Sequence, residues 1–158
     1  MSVWSTVVSS PGPYRSGSNR CGAGTRCSTA ACARCSRAAG GLIVNISFWA
    51  AQKYLGNTIY GAAKIATDRL TSDMAGELAQ YGVTVVSIYP GLVRTELVMQ
   101  SADFLDLSNS ESPEFTGRAI AHLYADAERF RRTGSVVVAA AYAREIGFTD
   151  IDGRRPNP

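Results

Sequence analysis

Apolar positions fall into two regimes along the chain. Before Gly40 they are scattered among Ser, Gly, Arg, Cys and Ala; after it they form short runs and helical stripes. Leu42-Ile43-Val44-Asn45-Ile46-Ser47 is a nearly continuous apolar run of strand length, the pattern of a parallel strand covered on both faces. Val83–Tyr89 repeats it and stops at Pro90-Gly91. Between the two, Ile59, Ala62, Ala63, Ala66, Leu70, Met74 and Leu78 recur at helical spacing. Asn57 or Thr58 caps that helix and Gly82 is its left-handed stop. Phe48 to Asn57 reads as an aromatic-rich loop. Pro90–Thr95 reads as a loop leaving the second strand, and residues 96–111 as a mobile flap. Ser112-Pro113-Glu114 starts a further helix, with a capping hydroxyl, Pro in the first turn and an acid at the positive end. That helix is expected to run to about Phe130. Arg131–Gly134 then turns the chain, Ser135–Ala140 is a third strand, and the tail from Thr149 is polar and loose. The expected class is α/β, with about three strands and flanking helices.

Composition sharpens the division. The 158 residues are a single-domain length. The net charge of +3 hides an asymmetry: residues 1–67 hold seven Lys/Arg and no acid, whereas residues 68–158 hold nine Lys/Arg and all 13 acids. Residues 1–40 are too poor in large aliphatics to offset the entropy of ordering. They are expected to be largely disordered, apart from a short helix in Ser28–Ala39, and residues 41–158 form the domain. No run of about 18 apolar residues exists, so no membrane span is expected. Of Cys21, Cys27, Cys32 and Cys35, only Cys32-x-x-Cys35 has a ligand-like gap, and His122, the single histidine, is far away. Incidental thiols are preferred to a zinc site or a dithiol, and no metal is expected. The arginines of residues 1–40 lack the aromatic or helical pattern of a nucleic-acid arm, so no nucleic-acid partner is expected.

The candidate chemistry lies in Tyr60-Gly61-Ala62-Ala63-Lys64. Four residues apart on a helix, Tyr60 and Lys64 share one face. A phenol, with a free pKa of about 10, is a poor acid/base at neutral pH unless a nearby positive charge favours the phenolate. Lowering it by about 3 units takes roughly 4 kcal/mol. Ser47, at the end of the first strand, reads either as a strand-end hydroxyl bonded to backbone or as a group that hydrogen-bonds a substrate oxygen. Lys53 and Arg94 read as solvated charges. Phe48, Trp49, Tyr54, Leu97, Met99 and Phe104 read either as an apolar substrate pocket or as packing over the sheet.

Ile43-Val44-Asn45-Ile46-Ser47, Tyr60-x-x-x-Lys64 and Pro90-Gly91-Leu92-Val93-Arg94-Thr95, in that order, resemble the short-chain dehydrogenase/reductase family. Ala143-Arg144-Glu145-Ile146-Gly147 and Asp150-Ile151-Asp152-Gly153-Arg154 resemble its dehydrogenase/reductase member 1 subgroup. The likeness covers roughly residues 40 to 158. It implies the C-terminal part of a Rossmann-like, doubly wound parallel sheet, and oxidoreduction of a small alcohol or carbonyl substrate with NAD or NADP. It implies Ser47, Tyr60 and Lys64 as the catalytic set. Tyr60, Lys64, Pro90, Gly91, Val93 and Thr95 would contact the cofactor. Phe48 stands where the family commonly has a second hydroxyl.

Three readings of residues 1–40 stay open: an Arg- and Ser-rich transit peptide, a cysteine site, or a shifted reading frame joined to a genuine enzyme, which is preferred. The family's glycine-rich turn is not recognisable there. Gly22-Ala23-Gly24 follows no expected strand and has Cys27 where the third glycine should fall. The chain is accordingly expected to be a truncated, cytoplasmic member with weak or no turnover. The alternative is a non-catalytic module that oligomerises through the helix at residues 59–80, helped by an unpaired edge on the Leu42 strand.

Overall fold

The computed structural model describes residues 5–8, by their backbone, and residues 40–158. In chain order the elements are β1 (Ser5–Val8), β2 (Leu42–Ile46), α1 (Thr58–Leu78), β3 (Thr84–Tyr89), β4 (Leu92–Val93) and α2 (Glu96–Met99), then β5 (Ser110–Glu111), α3 (Pro113–Ala125), β6 (Val136–Val138) and α4 (Ala139–Ile146). The main sheet has the order β1-β2-β3-β6, and β4 pairs with β5 in a separate ribbon. β2, β3 and β6 are parallel, with Asn45 beside Ser87 and Ile88 beside Val137. Their carboxyl ends therefore share one edge, where open α/β sheets hold ligands.

Alternation along the strands gives the sheet two different faces. Leu42, Val44, Val86, Ile88 and Val137 pack with Phe115, Ala119 and Leu123 of α3, with Ala139, Ala140, Tyr142 and Ala143 of α4, and with Phe148. Fully burying each large aliphatic or aromatic side chain there contributes about 1.5–3 kcal/mol. The opposite face, under α1, carries a polar seam next to Ile43 and Val85. Asn45 Nδ2 donates to Thr71 Oγ1 at 2.9 Å, and Thr71 Oγ1 meets Ser87 Oγ at 2.8 Å, all of it buried.

Local signals set α1. The Asn57 side chain accepts the Tyr60 N–H at 2.9 Å, and Gly82 adopts φ 68° after the last turn. Gly40 is required by close approach, because a Cβ there would lie 1.6 Å from the Gly82 carbonyl oxygen.

Several expectations need correction. The edge of β2 is paired: β1 lies antiparallel on it, Ser5 against Asn45 through Val8 against Leu42, so four residues of the segment expected to be disordered form a strand. The helix expected in Ser28–Ala39 and the four cysteines lie outside the described residues. α3 stops at Ala125, not Phe130, because the Asp126 side chain accepts the Glu128 N–H at 2.8 Å and offers the backbone a turn in place of the helix. The third strand covers only Val136–Val138; the alanines after it, strong helix formers, start α4. The 96–111 flap contains α2, a 3-10 turn at Ala102–Phe104 and β5. The tail is anchored rather than loose. Buried Asp150 accepts the Ser112 N–H at 2.8 Å, pairs with Ser112 Oγ, and lies 3.4 Å from Arg94 Nη2. Arg94, expected to be solvated, braces this region through Ser110, Asp150 and Asp152.

Candidate active site

Ser47 leaves β2 at the carboxyl edge of the sheet. Its N–H donates to the Ile88 carbonyl at 3.0 Å, continuing the ladder by one residue, and its side chain is buried. Its Oγ donates to the Lys64 carbonyl at 3.3 Å, which fixes the serine against the second turn of α1. Tyr60 and Lys64 lie on the helix face above it. Lys64 Nζ donates to the Ile46 carbonyl at 3.0 Å and lies 5.5 Å from the centre of the Tyr60 ring. Phe48 packs edge-on to that ring, with centroids 6.4 Å apart. The structure thus brings Ser47, Tyr60 and Lys64 together at one end of one helix.

The electrostatics differ from the expectation. Burial pushes the Tyr60 hydroxyl up from its ordinary value. Burial also pulls the Lys64 ammonium down, partly offset by the charge of Asp68. In the chain by itself, Lys64 does not make Tyr60 acidic, because both groups are half-buried and desolvation disfavours the charged form of each.

Two further residues belong to the site. Asp68 is one turn beyond Lys64 and two beyond Tyr60, on the same helix face. Its Oδ2 accepts a hydrogen bond from the hydroxyl of Tyr89, and its Oδ1 is buried without a partner among the described residues. Tyr89, wholly buried at the end of β3, is pushed up to about 12, by burial first and then by Asp68; hydrogen bonds with Gln52 and Ser47 pull the other way. One phenol thereby joins the serine's surroundings to the carboxylate beside the lysine. The i, i+4, i+8 spacing of Tyr60, Lys64 and Asp68 is a signal the sequence contained; Tyr89 carried none, since only the fold points it at α1.

Pro90, Gly91, Val93 and Thr95 leave β3 at the same edge. Pro90 is buried, the Thr95 N–H donates to the Val93 carbonyl at 2.8 Å, and the Thr95 side chain caps α2 by accepting the Val98 N–H at 3.4 Å. A cleft of about 320 Å³ lies beside the start of α1, lined by Gln52, Tyr54, Asn57, Gly61 and Ile65 among others. Of the aromatic and aliphatic residues expected to form a pocket, only Tyr54 lines it. Trp49 packs on Tyr89, and Phe104 is 91% exposed.

Residues 23–106 match the family model described as short chain dehydrogenase. The chain belongs to the short-chain dehydrogenase family. The match begins inside the segment set apart at the sequence level and ends before the tail. The mouse protein "Dehydrogenase/reductase SDR family member 1" is 39% identical over 127 residues, covering 72% of this chain, and its human counterpart is 35% identical over the same length. "Short-chain reductase protein NovJ" of Streptomyces niveus is 41% identical over 80 residues, 51% of this chain and 30% of its own. The chain spans about two fifths (41%) of the mouse and human relatives. Among solved family members, 4-hydroxyisoleucine dehydrogenase complexed with NADH and succinate superposes with a TM-score of 0.52 at 31% identity, covering 68% of this chain and 48% of that one. A short-chain dehydrogenase/reductase from Mycobacterium marinum gives 0.52 and 31%, covering 70% and 48%. The architecture is therefore the Rossmann-like one of the family. Among the described residues, no helix is long and apolar enough to cross a membrane.

Proposed function

We propose that Ser47, Tyr60 and Lys64 form an acid/base site for the NAD- or NADP-dependent interconversion of an alcohol and a carbonyl compound. The observation that carries this reading is the convergence of the three at the carboxyl edge of the sheet, with Lys64 Nζ 5.5 Å from the Tyr60 ring and Ser47 bonded to the same turn. The donor set suits the cofactor. An ammonium has three N–H donors, and Lys64 gives one to Ile46, which leaves donors for a ribose diol. Pro90, Gly91 and Val93 would present backbone to the carboxamide, with Thr95 toward the phosphates. When bound, NAD or NADP supplies or accepts the hydride.

The chain's own residues handle the proton. Because burial holds the Tyr60 phenol up, it is protonated at neutral pH and acts as a donor to the oxygen of a carbonyl being reduced. Ser47 Oγ steadies that oxygen. In that state the phenol serves the reductive half of the reaction, whereas taking a proton from an alcohol needs its deprotonated form. Slow turnover is expected, since no glycine-rich turn able to cradle a pyrophosphate is recognisable in the sequence of residues 1–40.

The experiment is carbonyl-dependent oxidation of NADH and NADPH by the full chain and by Tyr60→Phe. A slow, saturable rate that disappears in the variant is expected. A rate that survives the substitution refutes the assignment of Tyr60.

A second reading has its own observation. Ile59 and Leu70 on α1 are 71% and 50% exposed and lie along one side of the helix with exposed Ala66, an apolar row suited to pairing with a second copy through residues 59–80. Light scattering together with a cofactor titration separates the readings: a dimer indifferent to NADH and NADPH favours a non-catalytic interaction module.

A further inference from the structure

Glu111 has no place in the scheme above, yet it is among the most buried charged residues described, 1% exposed at the end of β5. Its backbone carbonyl accepts the Arg94 N–H at 2.8 Å. Its side chain turns under the loop that leaves β3. There its carboxyl group takes the backbone N–H of Gly91. The fit is close: a Cβ on Gly91 would lie 2.8 Å from Glu111 Oε1 and 3.2 Å from its Cδ. The other oxygen, Oε2, is buried with no protein partner among the described residues. A carboxyl group shielded from water, with one oxygen unmet, is costly to keep. A glutamine or an alkyl side chain would fill the same space without that charge.

We propose that Glu111 is a positioning residue for the Pro90–Thr95 loop, its carboxyl group setting how the Gly91 backbone is presented at the carboxyl edge of the sheet. The ligand that would sense this rests on the cofactor reading above; the loop contact does not.

An ionised carboxylate accepts an N–H more strongly than a neutral acid does, so the tether on Gly91 is tight when Glu111 is charged and slack when it is not. Burial first, and the charge of Asp150 as well, raise Glu111 to about 7, against the pull of the Gly91 N–H. The charged groups on the elements around it are Asp150 and Asp152 of the tail and Arg94 after β4. Arg94 is already engaged with Ser110, Asp150 and Asp152. Asp150 is held below the usual carboxylate range: burial works to raise it, but hydrogen bonds from Ser112 and Ile151 and the Arg94 charge outweigh burial. It therefore stays ionised across neutral pH, and the titration in that range belongs to Glu111. Tightening of the loop follows deprotonation, as pH rises through about 7.

The test follows the Gly91 amide by nuclear magnetic resonance in the isotope-labelled full chain from pH 5.5 to 8.5, with the Glu111 carboxyl carbon as a second probe. Both signals should move together with a midpoint near 7, and Glu111→Gln should leave Gly91 at a single position. The NADPH dissociation constant should change several-fold across the midpoint in the wild type and be flat in Glu111→Gln. A Gly91 amide that does not titrate, that titrates out of step with the Glu111 carbon, or that keeps its midpoint in the variant overturns the proposal. The two wild-type probes are decisive even where the variant does not fold. NADPH that binds at no pH overturns the cofactor reading alone, because the coupling of Gly91 to Glu111 is read without it.

Discussion

Tyr89→Phe removes one oxygen from the centre of the candidate site and leaves the ring in place. The ring is wholly buried, and Trp49 packs edge-on to it at 5.4 Å, so the substitution costs little in packing. The main loss is the hydrogen bond to Asp68, whose other oxygen has no partner among the described residues, with the weaker contacts to Gln52 and Ser47 going too. Hydrogen bonds to charged groups contribute about 1.5–3 kcal/mol. Asp68 is only half-buried, and water will partly replace the phenol, so a loss at the lower end, about 1.5 kcal/mol, is expected at pH 8. For a chain of this length that lowers the melting temperature by about 3–6 °C. The pH dependence is the sharper signature. The folded-state value for Tyr89 is about 12, above the unfolded value of about 10. The folded chain therefore binds the proton more tightly, and its advantage is complete below pH 10 and lost as pH rises from 10 toward 12. Phenylalanine has no proton to lose there. Melting curves of wild type and variant should stay apart up to pH 10 and converge above it. Curves that run parallel to pH 11.5, or a variant as stable as wild type at pH 8, would refute the argument that Asp68 depends on this hydroxyl.

Two other substitutions probe the scaffold. Thr71→Val keeps the volume but takes the acceptor from Asn45 Nδ2 and the partner from Ser87 Oγ; a loss of about 1–3 kcal/mol in urea unfolding is expected, and an unchanged midpoint would show that the pair contributes nothing. Ser112→Ala removes the cap of α3, where Oγ accepts the Phe115 N–H at 3.2 Å, and one partner of Asp150, for about 2–4 kcal/mol at pH 7. Because the folded value for Asp150 is depressed, its contribution is present above pH 4 or so and fades as pH falls through that depressed value. The variant should therefore lose less than wild type between pH 4 and 2 in the same assay.

What could be read before the structure was known is what neighbouring residues decide among themselves. Asn57 and Gly82 bracket α1, Ser112-Pro113-Glu114 opens α3, and Tyr60 with Lys64 shares a face because helical spacing is fixed. What stayed hidden depends on partners distant in sequence. Ser5–Val8 is too short a β-branched run to stand out from its polar surroundings, and it is a strand because the edge of β2 offers unpaired backbone groups. The tail that carries Asp150 looked loose because the partners of that residue, Ser112 and Arg94, are 38 and 56 residues away. Tyr89 looked like the end of an apolar run, and only the strand's alternation turns it toward Asp68. The acidity expected of Tyr60 followed from charge alone, whereas burial, which depends on the whole fold, decides the direction.

The hydroxyl and amide seam between α1 and the sheet has a mechanical consequence. A helix laid on a greasy surface can slide or rotate by a fraction of a turn at little cost, since dispersion has no direction. A helix pinned by Thr71 between Asn45 and Ser87 cannot, because a shift of even about one ångström would break both of these bonds in the dry interior. The pin sits two turns beyond Lys64, so it works as an index mark: it sets the height at which phenol and ammonium stand above the serine, and leaves loops and ligands to move around a fixed point.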